Sequence, residues 1–94
     1  MFKYWLNRLR GKPTVRAFAN RSTLVYREAG REIEIGGEGL VNNGFEIDLS
    51  TIVSWNDRPA EALSEAEKIR IANAVMRVAA DQWNMRVTIR GGFR

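Results

Sequence analysis

The sequence predicts a single α+β domain of 94 residues, in which one long helix packs on one face of a mostly antiparallel sheet of four to six strands. Three observations predict this class. Several short segments alternate apolar and polar residues with the period of a half-buried strand, one long segment carries the helical period behind a capping signal, and another alternating segment follows that helix. A short N-terminal helix precedes the strands. We find no internal repeat and no low-complexity linker.

The first twelve residues predict a short amphipathic helix. Its apolar stripe consists of Phe2, Trp5, Leu6 and Leu9, and its basic flank of Lys3, Arg8 and Arg10. A helix this short is only marginally stable alone, so it must pack on something. We expect the stripe to pack on the chain's own sheet or on a second copy in preference to a membrane surface, because it buries little area.

Four or five segments with strand character follow. The segments 14–19 and 23–28 are rich in β-branched and aromatic residues, and Ala29-Gly30 predicts the turn that leads into an alternating strand over 32–35. The glycines and asparagines of 36–44 predict a loop. Alternation returns over 45–55, where Ser50-Thr51 predicts a turn or bulge.

The long helix has the clearest local signal. Ser64-Glu65-Ala66-Glu67 matches a capping box, and Asn84 suits a left-handed terminator after Trp83. Two apolar stripes cover about half of its circumference, which is wider than an ordinary surface helix requires. The helix therefore either fills a concave sheet or forms a homodimer through its second stripe, which comprises Ile71, Val75 and Val78. A last strand over 85–90 and a flexible tail over 91–94 complete the domain.

Composition excludes several kinds of chemistry. The chain has no cysteine and no histidine, which excludes disulfides, thiolate or imidazole metal sites, cysteine nucleophiles and histidine bases. We expect no metal and no cofactor. No apolar run is long enough to span a membrane, and the N-terminus lacks the pattern of a signal peptide, so we expect a cytoplasmic protein.

Charge is divided into three blocks along the chain. Residues 1–31 hold eight bases against Glu28, a balance of +7, residues 32–67 hold nine acids against Arg58, a balance of −8, and residues 68–94 hold six bases against Asp81, a balance of +5. The blocks either form a two-signed surface for a charged partner or pair with one another across the fold.

Catalysis has weak support. Glu32 and Glu34, or Glu46 and Asp48, form carboxylate pairs two residues apart on a strand, but alternating acids are typical of a solvated sheet face. Tyr26 and Arg27 are nominal ribonuclease candidates without a supporting spacing. We therefore expect a protein that is not an enzyme.

Nucleic-acid binding is the alternative function. Its basic candidates are Arg16, Arg86, Arg90 and Arg94, which form a phosphate track if the first and last strands adjoin, and its aromatic candidates are Tyr4, Phe18 and Tyr26.

Residues 45–90 resemble a family of small immunity proteins from bacterial polymorphic toxin and contact-dependent growth inhibition systems. The resemblance lies in an alternating strand, a tryptophan followed by an acid at Trp55 and Asp57, Ser-Glu-x-Glu, a helix with Ile-x-x-Ala, and a closing strand. It implies a non-enzymatic protein that binds and neutralises a cognate toxin, often a nuclease. The family's link after the tryptophan contains prolines, of which only Pro59 is present here.

The acidic block offers a surface for a basic toxin. The expected partner-binding residues are Glu32, Glu34, Glu46, Asp48, Trp55, Asp57 and Arg58. Within this set Trp55 has two interpretations, as a core anchor or as a partner contact, because it alternates with Val53. Asn56 to Pro59 are explained as a turn.

Overall fold

The computed structural model describes residues 2–17 and 22–90, with the side chain of Phe2 outside the description. The elements in chain order are α1 Phe2–Leu9, β1 Thr14–Ala17, β2 Thr23–Glu28, β3 Arg31–Leu40, β4 Gly44–Asp48, a 3-10 helix Leu49–Thr51, α2 Glu65–Trp83 and β5 Arg86–Arg90. The predicted α+β class is confirmed. The last two positions of the predicted first strand and the predicted tail over 91–94 lie outside the described residues.

The five strands form one mixed sheet in the order β1-β2-β3-β4-β5. The first three pairs are antiparallel, whereas β4 and β5 are parallel. A parallel pair cannot be joined by a hairpin, and here α2 lies in the long connection between the two strands. The sheet is therefore mostly antiparallel, as predicted.

Strand β3 is longer than the sequence predicts, because residues 36–40 continue the strand where a loop was expected. Up to Gly36 it pairs with β2, and from Gly37 onward it pairs with β4. A Cβ atom on Gly37 would lie 2.0 Å from the backbone oxygen of Glu46, so the glycine permits the close approach of two strands. The turn to β4 is short and contains Asn42 and Asn43 at positive φ.

The predicted strand over 45–55 is interrupted by the 3-10 helix, where a turn or bulge was expected. The Asp48 carboxylate accepts hydrogen bonds from the backbone nitrogen and the hydroxyl of Ser50, at 3.1 and 2.6 Å. Thr51 Oγ1 accepts a hydrogen bond of 2.8 Å from the Gly36 amide. The chain then continues along β3, where the Asn56 amide donates to the Glu32 carbonyl. These bonds explain why the alternation stops after β4.

Helix α2 begins and ends where the sequence predicts. The hydroxyl of Ser64 accepts from the Glu67 amide at 3.2 Å, and Asn84 adopts the left-handed conformation with φ 53°. The Glu67 carboxylate does not complete the capping box, since its described hydrogen bonds come from Arg70 at 2.8 and 3.2 Å.

Both apolar stripes of α2 pack against the domain's own core. Ile71 and Val75 are completely buried, and Val78 is half-buried against the core. The helix contacts both β1 and β5, at the two edges of the sheet. It therefore fills the space enclosed by the sheet. The structure therefore does not support the homodimer expected through these residues, because Ile71 and Val75 offer no surface to a second copy.

The C-terminal end of α2 covers the outer edge of β1. Gln82 Oε1 accepts a hydrogen bond of 2.9 Å from the Val15 amide, and Gln82 Nε2 donates to the Pro13 carbonyl at 3.2 Å. The Trp83 indole nitrogen donates to the Val15 carbonyl. Buried backbone groups must be paired, and here side chains of a helix replace a neighbouring strand. Gln82 itself is only 5% exposed.

The helix α1 packs on β1 and α2 of the same chain, but only part of its predicted apolar stripe takes part, since Leu6 is half-buried while Trp5 and Leu9 are exposed. Trp5 is 56% and Leu9 82% exposed, whereas the buried residue is Tyr4, outside the predicted stripe. The Tyr4 ring centroid lies 5.6 Å from that of Trp83. The helix therefore packs through its tyrosine and directs Trp5 and Leu9 away from the domain. No helix within residues 2–17 and 22–90 is both long and apolar enough to cross a bilayer.

Candidate binding surface

The face of the sheet opposite α2 carries most of the predicted site residues. Because side chains alternate along a strand, the apolar residues of β3 and β4 point toward α2 and their acids point the other way. We call these acids the acidic strip, which consists of Glu32, Glu34, Glu38, Glu46 and Asp48. Glu38 and Glu46 are direct cross-strand neighbours. The structure thus unites four predicted residues with Glu38, which the sequence analysis assigned to a loop.

Arginines from the neighbouring strands flank the acidic strip on both sides. Arg16 and Arg27 lie 3.9 and 3.5 Å from the Glu32 carboxylate. On the other side, Arg90 donates to Glu46 at 2.8 Å and to Glu38 at 3.2 Å. The hydrogen bond to Glu46 raises the pKa of Arg90. The basic and acidic blocks of the sequence therefore pair across the sheet, although each of these pairs stays partly exposed.

Glu34 differs from its neighbours in the acidic strip. It is exposed, and within the described ranges it has no salt bridge and no side-chain hydrogen bond. Asp48 instead caps the 3-10 helix, and its hydrogen bonds with Ser50 lower the pKa of its carboxyl group. The negative charge that the fold leaves available on this face is therefore centred on Glu34.

Exposed apolar side chains adjoin one end of the acidic strip. Leu40 and Val41, at the β3–β4 turn, are 37% and 79% exposed. They border a cleft of about 560 Å³, whose lining also includes Leu24, Phe45 and Met85. Glycines and asparagines around these two residues hid them in the sequence, which resembled a polar loop.

Trp55 lies on the other side of the sheet. It is 4% exposed and belongs to the hydrophobic core, with its ring centroid 6.5 Å from that of Tyr26. The Arg31 guanidinium lies over the indole ring at 4.7 Å. Burial supports the core interpretation of Trp55, because almost none of its surface is available to a partner.

Asp57 and Arg58 lie in an exposed turn at the N-terminal end of β3. Asp57 contacts Arg31 at 3.4 Å, and Arg58 contacts Asp57 at 4.0 Å and Glu61 at 3.5 Å. The Arg58 amide donates to the Trp55 carbonyl, as expected of a turn. Since the Asn56 amide binds the Glu32 carbonyl, this turn adjoins the Glu32 end of the acidic strip.

A second polar cluster joins the β2–β3 hairpin to α2. Arg70 donates to both oxygens of Glu28 at 2.8 and 2.9 Å, and the Tyr26 hydroxyl donates to Glu28 at 2.8 Å. The bond from Arg70 is the largest cause of the lowered pKa of Glu28. Burial, followed by the bond to Glu28, raises the pKa of Tyr26. The tyrosine hydroxyl thus stays protonated near neutral pH and acts as a structural donor.

The arginines proposed for nucleic-acid binding do not form one track. Strands β1 and β5 are the two edges of the sheet and do not pair, and Arg90 is bound by two glutamates. Tyr4 and Tyr26 are buried at 7% and 1% exposure, so neither offers a face for base stacking. Phe18 and Arg94 lie outside the described residues. Among the residues that are described, no cluster of three acids is arranged to hold a metal ion.

Comparison of the chain with protein-family models, with curated proteins and with solved structures found no match.

Proposed function

We propose that this chain is a non-catalytic immunity protein, which binds a cognate bacterial toxin domain in the cytoplasm and neutralises it. The resemblance of residues 45–90 supports the class of partner. The observation that carries the binding surface is the acidic strip, five carboxylates on the face of the sheet opposite α2. This surface is the proposed site of toxin contact.

The contacts of the acids favour binding over catalysis. A general acid or base needs a carboxyl group that can exchange a proton near its working pH. Glu32, Glu38 and Glu46 are paired with arginines, and the pKa of Asp48 is lowered by its hydrogen bonds with Ser50. The lowered pKa of Asp48 opposes proton exchange near neutral pH, and the arginine contacts hold the three glutamates in place on the sheet.

The apolar neighbours of the strip favour a protein as the partner. Protein interfaces combine an apolar centre with a polar rim, and Leu40 and Val41 supply exposed apolar area beside the carboxylates. A nuclease toxin must attract nucleic acid with a basic surface, which Glu34 complements because no arginine neutralises it within the described chain.

The two kinds of contact make different contributions. Charge complementarity accelerates encounter and confers salt dependence, whereas burial of apolar side chains slows dissociation. We therefore assign steering to Glu34 and anchoring to Leu40 and Val41. Asp57 and Arg58 lie at the rim of this surface, beside the Glu32 end.

The test searches the neighbouring open reading frames for a protein with a toxin-like C-terminal domain, and co-expresses and purifies that domain with this chain. We expect a stable complex in which the toxin activity is lost. Glu34→Lys should weaken binding by about tenfold or more, which corresponds to ~1.4 kcal/mol, mainly through slower association at low salt. Val41→Asp should accelerate dissociation.

The matched control is Glu65→Lys, which makes the same charge change on α2, 79% exposed and away from the strip. Circular dichroism verifies that each variant is folded. Recovery of no complex with the neighbouring domain contradicts the immunity function. Equal affinities of the Glu34 and Glu65 variants would instead retain the function and reject the proposed surface.

A further inference from the structure

We infer that the outward face of α1 is a docking site for an anionic phospholipid membrane surface. This inference is independent of the proposed toxin binding, which uses the sheet face.

The first observation is that two apolar residues of α1 face solvent while its tyrosine faces the domain. Trp5 and Leu9 are four residues apart and therefore lie on the same side of α1, with exposures of 56% and 82%. Tyr4 is buried beside Trp83 and holds the helix on the domain. Trp5 and Leu9 are thus held on the surface by the packing of the residue next to Trp5.

The second observation is the charge around that face. Residues 2–12 contain Lys3, Arg8, Arg10 and Lys12 and no acid. Lys3 pairs with Asp81 at 3.3 Å, and Arg8 donates to the Tyr4 hydroxyl at 3.2 Å. Arg10 and Lys12 are exposed and form no salt bridge within residues 2–17 and 22–90. The exposed apolar pair therefore adjoins two exposed cations, Arg10 and Lys12, that no acid of the described ranges neutralises.

These two observations select the occupant. A second copy would bring two pairs of exposed cations together, and two side chains offer far less than the ~800 Å² per partner of a stable protein interface. On a bilayer the small apolar area is supplemented by charge, because lipid phosphates attract the cations while tryptophan and leucine enter the boundary between headgroups and acyl chains. Tryptophan is also enriched at that boundary in membrane proteins. The combination fits an anionic membrane surface.

The experiment mixes the full chain with vesicles of phosphatidylcholine alone or of equimolar phosphatidylcholine and phosphatidylglycerol. We expect co-sedimentation with the anionic vesicles only, weakened by salt, with a blue shift of the tryptophan emission. Arg10→Gln combined with Lys12→Gln should lower the affinity roughly fivefold per charge removed. Trp5→Ala combined with Leu9→Ala should abolish binding. Trp5→Phe should retain binding and lose the blue shift, which places residue 5 in the boundary.

Two controls accompany these variants. Val41→Ala removes exposed apolar surface at the β3–β4 turn, and Arg77→Gln removes an exposed cation from α2, and both should bind vesicles as the unmodified chain does. Absence of binding to the anionic vesicles overturns the inference, and so does binding that survives the Trp5 and Leu9 double substitution. Equal binding to duplex DNA, lost in the same variants, or a dimer that depends on Trp5 would assign the face to another occupant and also overturn it.

Discussion

Replacing Gln82 tests whether α2 protects the edge of β1. Gln82→Met retains an unbranched side chain of similar helix propensity, but it removes both the acceptor for the Val15 amide and the donor to the Pro13 carbonyl. Val15 is completely buried, so its amide is left without a partner and without water. An unsatisfied buried donor costs about 1–3 kcal/mol.

The predicted loss is measurable in a domain of this size. Each kcal/mol lowers the Tm by roughly 4–8 °C, so the variant should melt at least ~4 °C below the unmodified chain. Urea unfolding followed by far-UV circular dichroism gives the free energy directly. Hydrogen exchange at the Val15 amide separates this mechanism from general loosening of the core, because that amide should exchange faster than those of β3.

The matched control is Asn73→Met, which places the same side chain at an exposed position of the same helix. Its free energy of unfolding should change by less than ~0.5 kcal/mol. If Gln82→Met also stays within that margin and the Val15 amide remains protected, the reasoning about edge protection is refuted.

Two further predictions concern the sheet. Gly37→Ala should destabilise the domain by about 1–3 kcal/mol or more, because the new Cβ would lie 2.0 Å from the Glu46 carbonyl oxygen. An unchanged urea midpoint would contradict this, since it would show that β3 and β4 can separate at no cost. Glu28 should contribute to acid sensitivity. Its pKa lies below its ordinary value of 4.5, so the ionised form stabilises the fold above that pH, and this contribution is lost as the pH falls through the lowered value. Glu28→Gln should thus destabilise the chain at neutral pH and progressively less on acidification; a difference from the unmodified chain that is constant with pH would contradict this.

Local sequence signals predicted the structure correctly where it depends on residues that are close in sequence. Ser64 and Asn84 define the ends of α2 through their own hydrogen bonds and backbone conformation, and alternation identified the inward face of β4. The glycines at 36–40 predicted a loop where the structure has a strand. Gly37 is required by the close approach of β4, a tertiary contact that the local sequence does not reveal. The same limit hid Glu38 and the apolar turn at Leu40 and Val41.

Amphipathic patterns left a different ambiguity. The stripe of α1 was recognisable, but periodicity cannot say whether an apolar face points inward, and Tyr4 determines the packing through its contact with Trp83. In the same way, four of the predicted acids share one face because of alternation along β3 and β4, whereas their arginine partners depend on the strand order. Glu34 stands out only after those partners are known.

The two edges of the sheet have unequal consequences for self-assembly. Side chains of α2 occupy the outer hydrogen-bonding groups of β1 at Val15, while β5 pairs only with β4 among the strands of the described ranges. Growth of a fibre by edge-to-edge pairing requires two open edges on every molecule. With the edge of β1 occupied at Val15, we expect association through β5 to end at two copies. The position of Gln82 at the end of α2 therefore limits strand addition to a finite pair, and its loss would open a second edge.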